Sequence, residues 1–154
     1  MAPAQAHVAG ERSAPAPGML RVMVVTPFGP VADSETDAVT APGELGEFEV
    51  LPGHVPFLTQ LHPGVLTLGE KQAHQVYAVS IGFLEVEADG EVQVLVERAV
   101  AAANVDVAAA KAVVDELGPV IKDWKEAVDA EFKNVKARLD WAQAQLDARD
   151  AVRA

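Results

Sequence analysis

The side chains able to do chemistry are few, and their spacing does not suit it. The histidines are His7, His54, His62 and His74. None stands in an H-x-H or HExxH pair. A small metal-binding barrel needs closely paired histidines with a carboxylate, and His74 with Glu70 does not supply them. There is no cysteine, so disulfides and thiolate–metal sites are excluded and a reducing compartment is compatible. Ser80 has no G-x-S-x-G elbow around it, and neither a P-loop nor a G-x-G-x-x-G turn is present. Glu85, Glu87 and Glu91 gather beside Asp89-Gly90, where a solvated hairpin rim accounts for them. His54 and His62 read as structural or interface residues. The expectation is therefore no catalytic residue, no metal and no cofactor.

What remains is the framework. From Leu20 to Glu97, short runs rich in Val, Leu, Ile and Thr alternate with turn signals. Leu20, Val22 and Val24 share one strand face, and Pro27-Phe28-Gly29-Pro30 breaks the run. Val55 to Leu61 ends at His62-Pro63-Gly64, Val65 to Leu68 ends at Gly69, and Val76 to Ser80 and Phe83 to Glu87 flank Ile81-Gly82. Asp89-Gly90 predicts a type I′ hairpin turn, since Gly accepts positive φ. After it, Val92, Val94 and Val96 alternate with Gln93, Leu95 and Glu97. Many short strands with no helical pattern between them predict an all-β sandwich or barrel.

After Arg98 the period changes. Asn104-Val105-Asp106 offers N-cap candidates. A helix follows over Val107 to Leu117, with Val107, Ala110, Val114 and Leu117 on one face. Gly118-Pro119 is expected to end it. Pro119 then opens a longer helix to Ala151, about 50 Å at 1.5 Å per residue. Its stripe is Val120, Trp124, Val128, Phe132, Val135, Leu139, Ala142 and Leu146, with Lys122, Glu126, Lys133 and Lys136 opposite. An apolar stripe that long must be covered by the sandwich or by another protein. The predicted fold class is thus an all-β N-terminal sandwich followed by a C-terminal α-helical hairpin. The expected divisions are a disordered extension over 1–18, a sandwich over 19–103 and the hairpin over 104–154.

Charge narrows the partners. The 154 residues carry a formal net charge of -11. That disfavours nucleic acid and anionic lipid, which recruit Lys and Arg. Up to Gly118 there are 5 basic and 16 acidic residues, and from Pro119 onward 7 of each, so the net negative charge sits on the first part of the chain. No run approaches the ~18 apolar residues of a membrane span. The N-terminus has no basic n-region and does not read as a signal peptide. Any work at a membrane is expected to go through other proteins.

One segment is ordered more tightly than its Pro-Gly turns require: Pro42-Gly43-Glu44-Leu45-Gly46-Glu47-Phe48-Glu49-Val50-Leu51-Pro52-Gly53-His54-Val55-Pro56-Phe57-Leu58-Thr59. It resembles the signature of the epsilon subunit of F-type ATP synthases, approximately P-G-x-x-G-E-x-G-(V/I)-L-P-G-H-x-P-(L/F)-(L/V)-T, with Glu49 where glycine is usual. Leu61-His62-Pro63-Gly64-Val65-Leu66 is similar to the family's L-x-P-G-x-L turn. Tyr77-Ala78-Val79-Ser80-Ile81-Gly82-Phe83-Leu84-Glu85-Val86 is similar to its Y-x-V-S-G-G-F-L-E-V strand pair, with Ile81 for a glycine. Thr26-Pro27-Phe28-Gly29 matches the start of the domain. The resemblance covers about Leu20 to Ala151.

The resemblance implies a non-catalytic rotor subunit of the central stalk, coupling c-ring rotation to ATP synthesis. It implies docking of the sandwich onto the gamma subunit and the c-ring, with Glu47, Pro52, Gly53 and His54 as contacts. It also implies a peripheral place on the cytoplasmic face of a bacterial plasma membrane. Some members raise the hairpin and inhibit hydrolysis through cations on the second helix that meet a catalytic alpha or beta subunit; Lys122, Lys125, Lys133, Lys136 and Arg138 are the candidates. Some bind ATP through (I/L)-D-x-x-R-A. Here Val105-Asp106-Val107-Ala108-Ala109-Ala110 puts Ala109 at the arginine, so no nucleotide site is expected. The alternatives from other classes are a free-standing β-sandwich binding module with an oligomerising hairpin, and a small metal-dependent barrel enzyme.

Overall fold

The computed structural model describes residues 13–70, 75–125 and 129–153. His7, His74, Glu126 and Val128, with the first twelve residues of the expected extension, lie outside them. The ten strands are β1 Leu20–Thr26, β2 Gly29–Thr36, β3 Val39–Gly43, β4 Gly46–Val50, β5 Phe57–Leu61, β6 Gly64–Leu68, β7 Gln75–Val79, β8 Gly82–Val86, β9 Glu91–Val96 and β10 Ala99–Ala101. A 3-10 turn over Ala102–Asn104 leads into α1, Val107–Lys122, and α2, Ala130–Arg153.

The strands hydrogen-bond in the order β10-β7-β6-β3-β5-β8-β9-β1-β2, with β4 on β3. This path folds over into a sandwich. The ladders are antiparallel except β1 with β9. The two-residue alternation fills the inside: Leu20, Val22 and Val24 of β1 meet Val92, Val94 and Val96 of β9, with Leu61, Leu66, Leu68, Leu84 and Val86. Burying each of these side chains stabilises the fold by roughly 1.5–3 kcal/mol.

Two-residue links join β2 to β3 at Asp37-Ala38, β5 to β6 at His62-Pro63, β7 to β8 at Ser80-Ile81 and β9 to β10 at Glu97-Arg98. The last two are tied together: Ser80 N donates to Arg98 O (3.0 Å), Glu97 N to Ile81 O (3.1 Å) and Arg98 N to Ser80 Oγ (2.8 Å). Ser80, nearly fully buried, therefore caps a bend. A Cβ at Gly82 would strike the Leu95 carbonyl and lie 2.8 Å from Val96 Cγ1, so this glycine is obligatory. Ile81 beside it is exposed and free of positive φ, so the family's other glycine is dispensable here. Glu49 is likewise an ordinary exposed strand residue, opposite Thr40.

Two local expectations change. The Asp89-Gly90 turn is not type I′, because Gly90 alone has positive φ (86°). Gly90 N donates to Glu87 O and Glu87 N to Glu91 O, so Ala88-Asp89 form the turn and Gly90 follows as the left-handed residue of a longer loop. Helix α1 does not stop at Gly118-Pro119 but continues to Lys122. Pro119 deprives only the Asp115 carbonyl of its partner, and Asp115 faces solvent, where water replaces the bond. The reversal comes after Asp123. Asp129 caps α2 by accepting from Phe132 N (2.6 Å), and the Trp124 and Phe132 rings meet edge-on at 5.6 Å. The stripe read as one helix is thus shared between two, and α2 spans about 36 Å.

The hairpin lies against the sandwich. Ala144 and Ala148 of α2 are buried on Ala78 of β7 and Ala102, ringed by Val65, Val76, Val100 and Trp141. Within the expected extension, Ala16 N donates to Glu35 Oε1 (3.1 Å) and Met19 N to Ala16 O (3.0 Å), which fixes residues 16–19 beside β2.

Candidate functional site

Glu47 stands on β4, which among the described residues pairs with β3 alone. Its neighbours along the strand, Phe48 and Val50, point inward, so Glu47 and Glu49 point out. Among the described residues the Glu47 carboxylate has no hydrogen-bond or ion-pair partner. The β3–β4 tip presents Leu45 wholly to solvent (103 % exposed). Gly46, at φ 128°, provides the reversal that a side chain would strain.

His54 follows β4 in a turn. His54 N donates to Leu51 O (3.0 Å), with Pro52 and Gly53 (φ 85°) at the two central positions, as a type II turn requires. The ring packs on Phe57 at 5.0 Å, and Phe57 in turn meets Phe48 at 5.7 Å. His54 Nδ1 lies 2.7 Å from Val55 O. A carbonyl only accepts, so Nδ1 carries the proton and Nε2 is left for other contacts. Pro52, Gly53 and His54 thus come together in one turn. Glu47 lies on β4 before that turn, and among the described residues no hydrogen bond joins it to His54.

The sequence reading missed the outer face of the sandwich. The register aligns Gln60, Phe83, Leu95 and Val25 in one row across β5, β8, β9 and β1. Leu58, Glu85, Gln93 and Met23 form the next row on the same side. Leu58 is 65 % exposed, Phe83 52 % and Leu95 45 %. Ile81 lies at the bend beside them, and a shallow depression of about 500 Å³ runs between Val25, Pro27, Phe83 and Leu95. The signal was in the sequence: Leu95 and Phe83 occupy the outward register of strands whose inward register is already apolar.

The cations of the hairpin divide by element. Lys122 ends α1 and Lys125 lies in the connection, so neither is on the second helix as expected; Lys133, Lys136 and Arg138 are. Lys136 pairs with Asp140 at 3.1 Å. Between hairpin and sandwich lies a cleft of about 520 Å³, lined by Asp106, Ala109, Lys133, Lys136, Arg138 and Trp141. Asp106 is engaged as the α1 cap, accepting from Ala109 N (3.0 Å).

Among the described residues, the only cluster with metal-ligating groups is Glu87, Asp89 and Glu91 on the β8–β9 turn. Loss of solvent raises the Glu87 carboxyl above its ordinary value, helped by Asp89, Glu91 and Glu85. Gln93 Nε2 donates to Glu87 Oε1 (3.3 Å), and Asp89 Oδ1 accepts from Glu91 N (3.1 Å), so two of the three carboxylates serve the turn itself.

The profile of the family described as "ATP synthase, Delta/Epsilon chain, beta-sandwich domain" matches residues 19–102. The chain belongs to this family. The ATP synthase epsilon chain of Geotalea uraniireducens is 40 % identical over 127 residues, covering 82 % of this chain and 91 % of its own. That of Geobacter metallireducens is 42 % identical over the same shares. A chain of the Euglena gracilis mitochondrial ATP synthase, in a structure of OSCP, F1 and c-ring, superposes with a TM-score of 0.72. It is 20 % identical and covers 94 % of this chain and 87 % of that one, so it supports the fold alone. A chain of the Tetrahymena thermophila central stalk and c-ring does so at 0.56 and 15 % identity, covering 84 % of this chain and 96 % of that one. As an epsilon-chain family member the protein is a subunit of an enzyme complex. No helix of the described residues is long and apolar enough to cross a membrane.

Proposed function

We propose that this epsilon chain is a non-catalytic rotor subunit of the central stalk that transmits c-ring rotation to the catalytic head. The observation that carries the reading is the exposure of Phe83 and Leu95, with half-buried Val25 in their row and exposed Leu58 in the next, on the outside of a sandwich whose core is enclosed. Leaving such side chains in water is unfavourable by the same transfer term that builds the core. A rotor needs a broad contact that does not slip, and the gamma subunit is the partner this face fits. Coexpression tests the reading: the chain should co-purify with gamma, and a chain recovered alone would contradict it.

The β4 edge and the turn after it supply the second contact. Glu47, pointing outward and unpaired among the described residues, and the His54 Nε2 face polar loops of the c-ring, with Pro52 and Gly53 setting the turn. Electrostatic pairing of this kind fixes register more than it adds affinity. The complex would lie on the cytoplasmic face of a bacterial plasma membrane, reached through its partners.

The helical hairpin supplies control. If lifted from the sandwich, Lys122, Lys125, Lys133, Lys136 and Arg138 become available to acidic segments of the catalytic subunits and oppose hydrolysis. Comparing ATPase activity of the assembled complex with and without residues 104–154 tests this. Higher activity on truncation supports inhibition, and equal activity refutes it.

A further inference from the structure

The hairpin meets the sandwich at a seam of four alanines ringed by Val65, Val76, Val100 and Trp141, and beside it is a group that docking serves badly. Arg149 follows Ala148, which is fully buried in that seam. Its Nε is shut off from solvent and has no hydrogen-bond partner among the described residues. Its Nη1 reaches the Ala102 carbonyl only at 3.4 Å. That carbonyl is shared, since Val105 N also donates to it, again at 3.4 Å. Both contacts are at the long limit for N–H···O bonds. A guanidinium has five donors and no way to shed its charge, so it cannot lower the cost by deprotonating. When α2 is away from the 3-10 turn, water satisfies every donor.

We propose that Arg149 is a built-in release element: its poorly satisfied guanidinium destabilises the docked hairpin and holds the docking equilibrium close to opening. This makes a prediction opposite to the usual one for a half-buried residue. Removing the charged group while keeping the stem should tighten the contact. Met retains an unbranched stem, and Leu provides an independent apolar replacement.

The test is amide hydrogen exchange of the full-length chain alone, so its failure is separable from any failure of the rotor reading. In Arg149→Met and Arg149→Leu, amides of α2 around 141–148 should exchange about tenfold more slowly, as expected when one unsatisfied donor is removed. Amides of β1 and β9, in the separate sandwich core, should exchange as before. Unchanged or faster exchange in α2 in either variant overturns the proposal. So does an equal slowing in β1 and β9, which would signify general stabilisation.

Discussion

Ala148→Leu should undock the hairpin without unfolding the sandwich. Ala148 and Ala144 face Ala78 and Ala102 with almost no exposure, so α2 approaches the sheet as closely as methyl groups allow. Leucine adds three carbons where no space is kept for them. Overpacking of this kind costs about 1–3 kcal/mol. At 1.4 kcal/mol per factor of ten, the docking constant should fall about 5- to 150-fold. Hydrogen exchange reads this directly, because α2 amide exchange scales with the local opening constant. Exchange across 141–150 should accelerate by that factor, while β1, β8 and β9 keep their protection because their side chains belong to a different cluster. Unchanged α2 exchange would mean that the alanine seam does not hold the hairpin. Equal acceleration in sandwich and hairpin would mean that the two open as one unit.

Other consequences follow from single positions. Gly82→Ala should lower the thermal midpoint by the equivalent of about 1–3 kcal/mol, since its Cβ meets backbone on β9, whereas Ile81→Gly should cost no more than about 1 kcal/mol. The raised Glu87 carboxyl makes the folded state bind its proton more tightly than the unfolded chain does. The stabilisation is thus complete below the ordinary Glu range and is lost as pH rises through the raised value. Glu87→Gln should therefore melt higher than wild type at neutral pH and nearly match it at pH about 4. Ala109 leaves the hairpin cleft without the arginine of the nucleotide-binding pattern, and Asp140 already neutralises Lys136. Calorimetry with ATP should therefore give no heat of binding, and saturable binding to the isolated chain would refute this.

The sandwich was legible because its strands obey a strict two-residue alternation. Leu20, Val22, Val24, Val92, Val94 and Val96 were placed on one face by pattern alone, and all are buried. The turn at Leu51–His54 was legible because Pro and Gly occupy the positions that their backbone preferences dictate. The helix boundary was not. Gly118-Pro119 carries the strongest local stop signal, but α1 passes through it because an exposed carbonyl loses little and Leu117 remains packed. The α2–sheet contact was hidden for a different reason. Ala144 and Ala148 look like helix filler, and only their depth in the seam reveals a second buried face beside the Leu139–Leu146 stripe. The outer face went unread because Phe83 and Leu95 each seem ordinary along their own strand. Cross-strand register makes them neighbours, and register is a property of the sheet.

The rotor proposal requires the outer face of β5, β8, β9 and β1 to grip the shaft. Its most direct test is the affinity of purified gamma for wild type and for Phe83→Asp/Leu95→Asp. Both positions are exposed, so the fold should survive the change. Wild type should bind, and the double variant should bind at least about thirtyfold more weakly, the effect of losing a central anchor. Equal binding of the two proteins, with the fold intact in both, would contradict it.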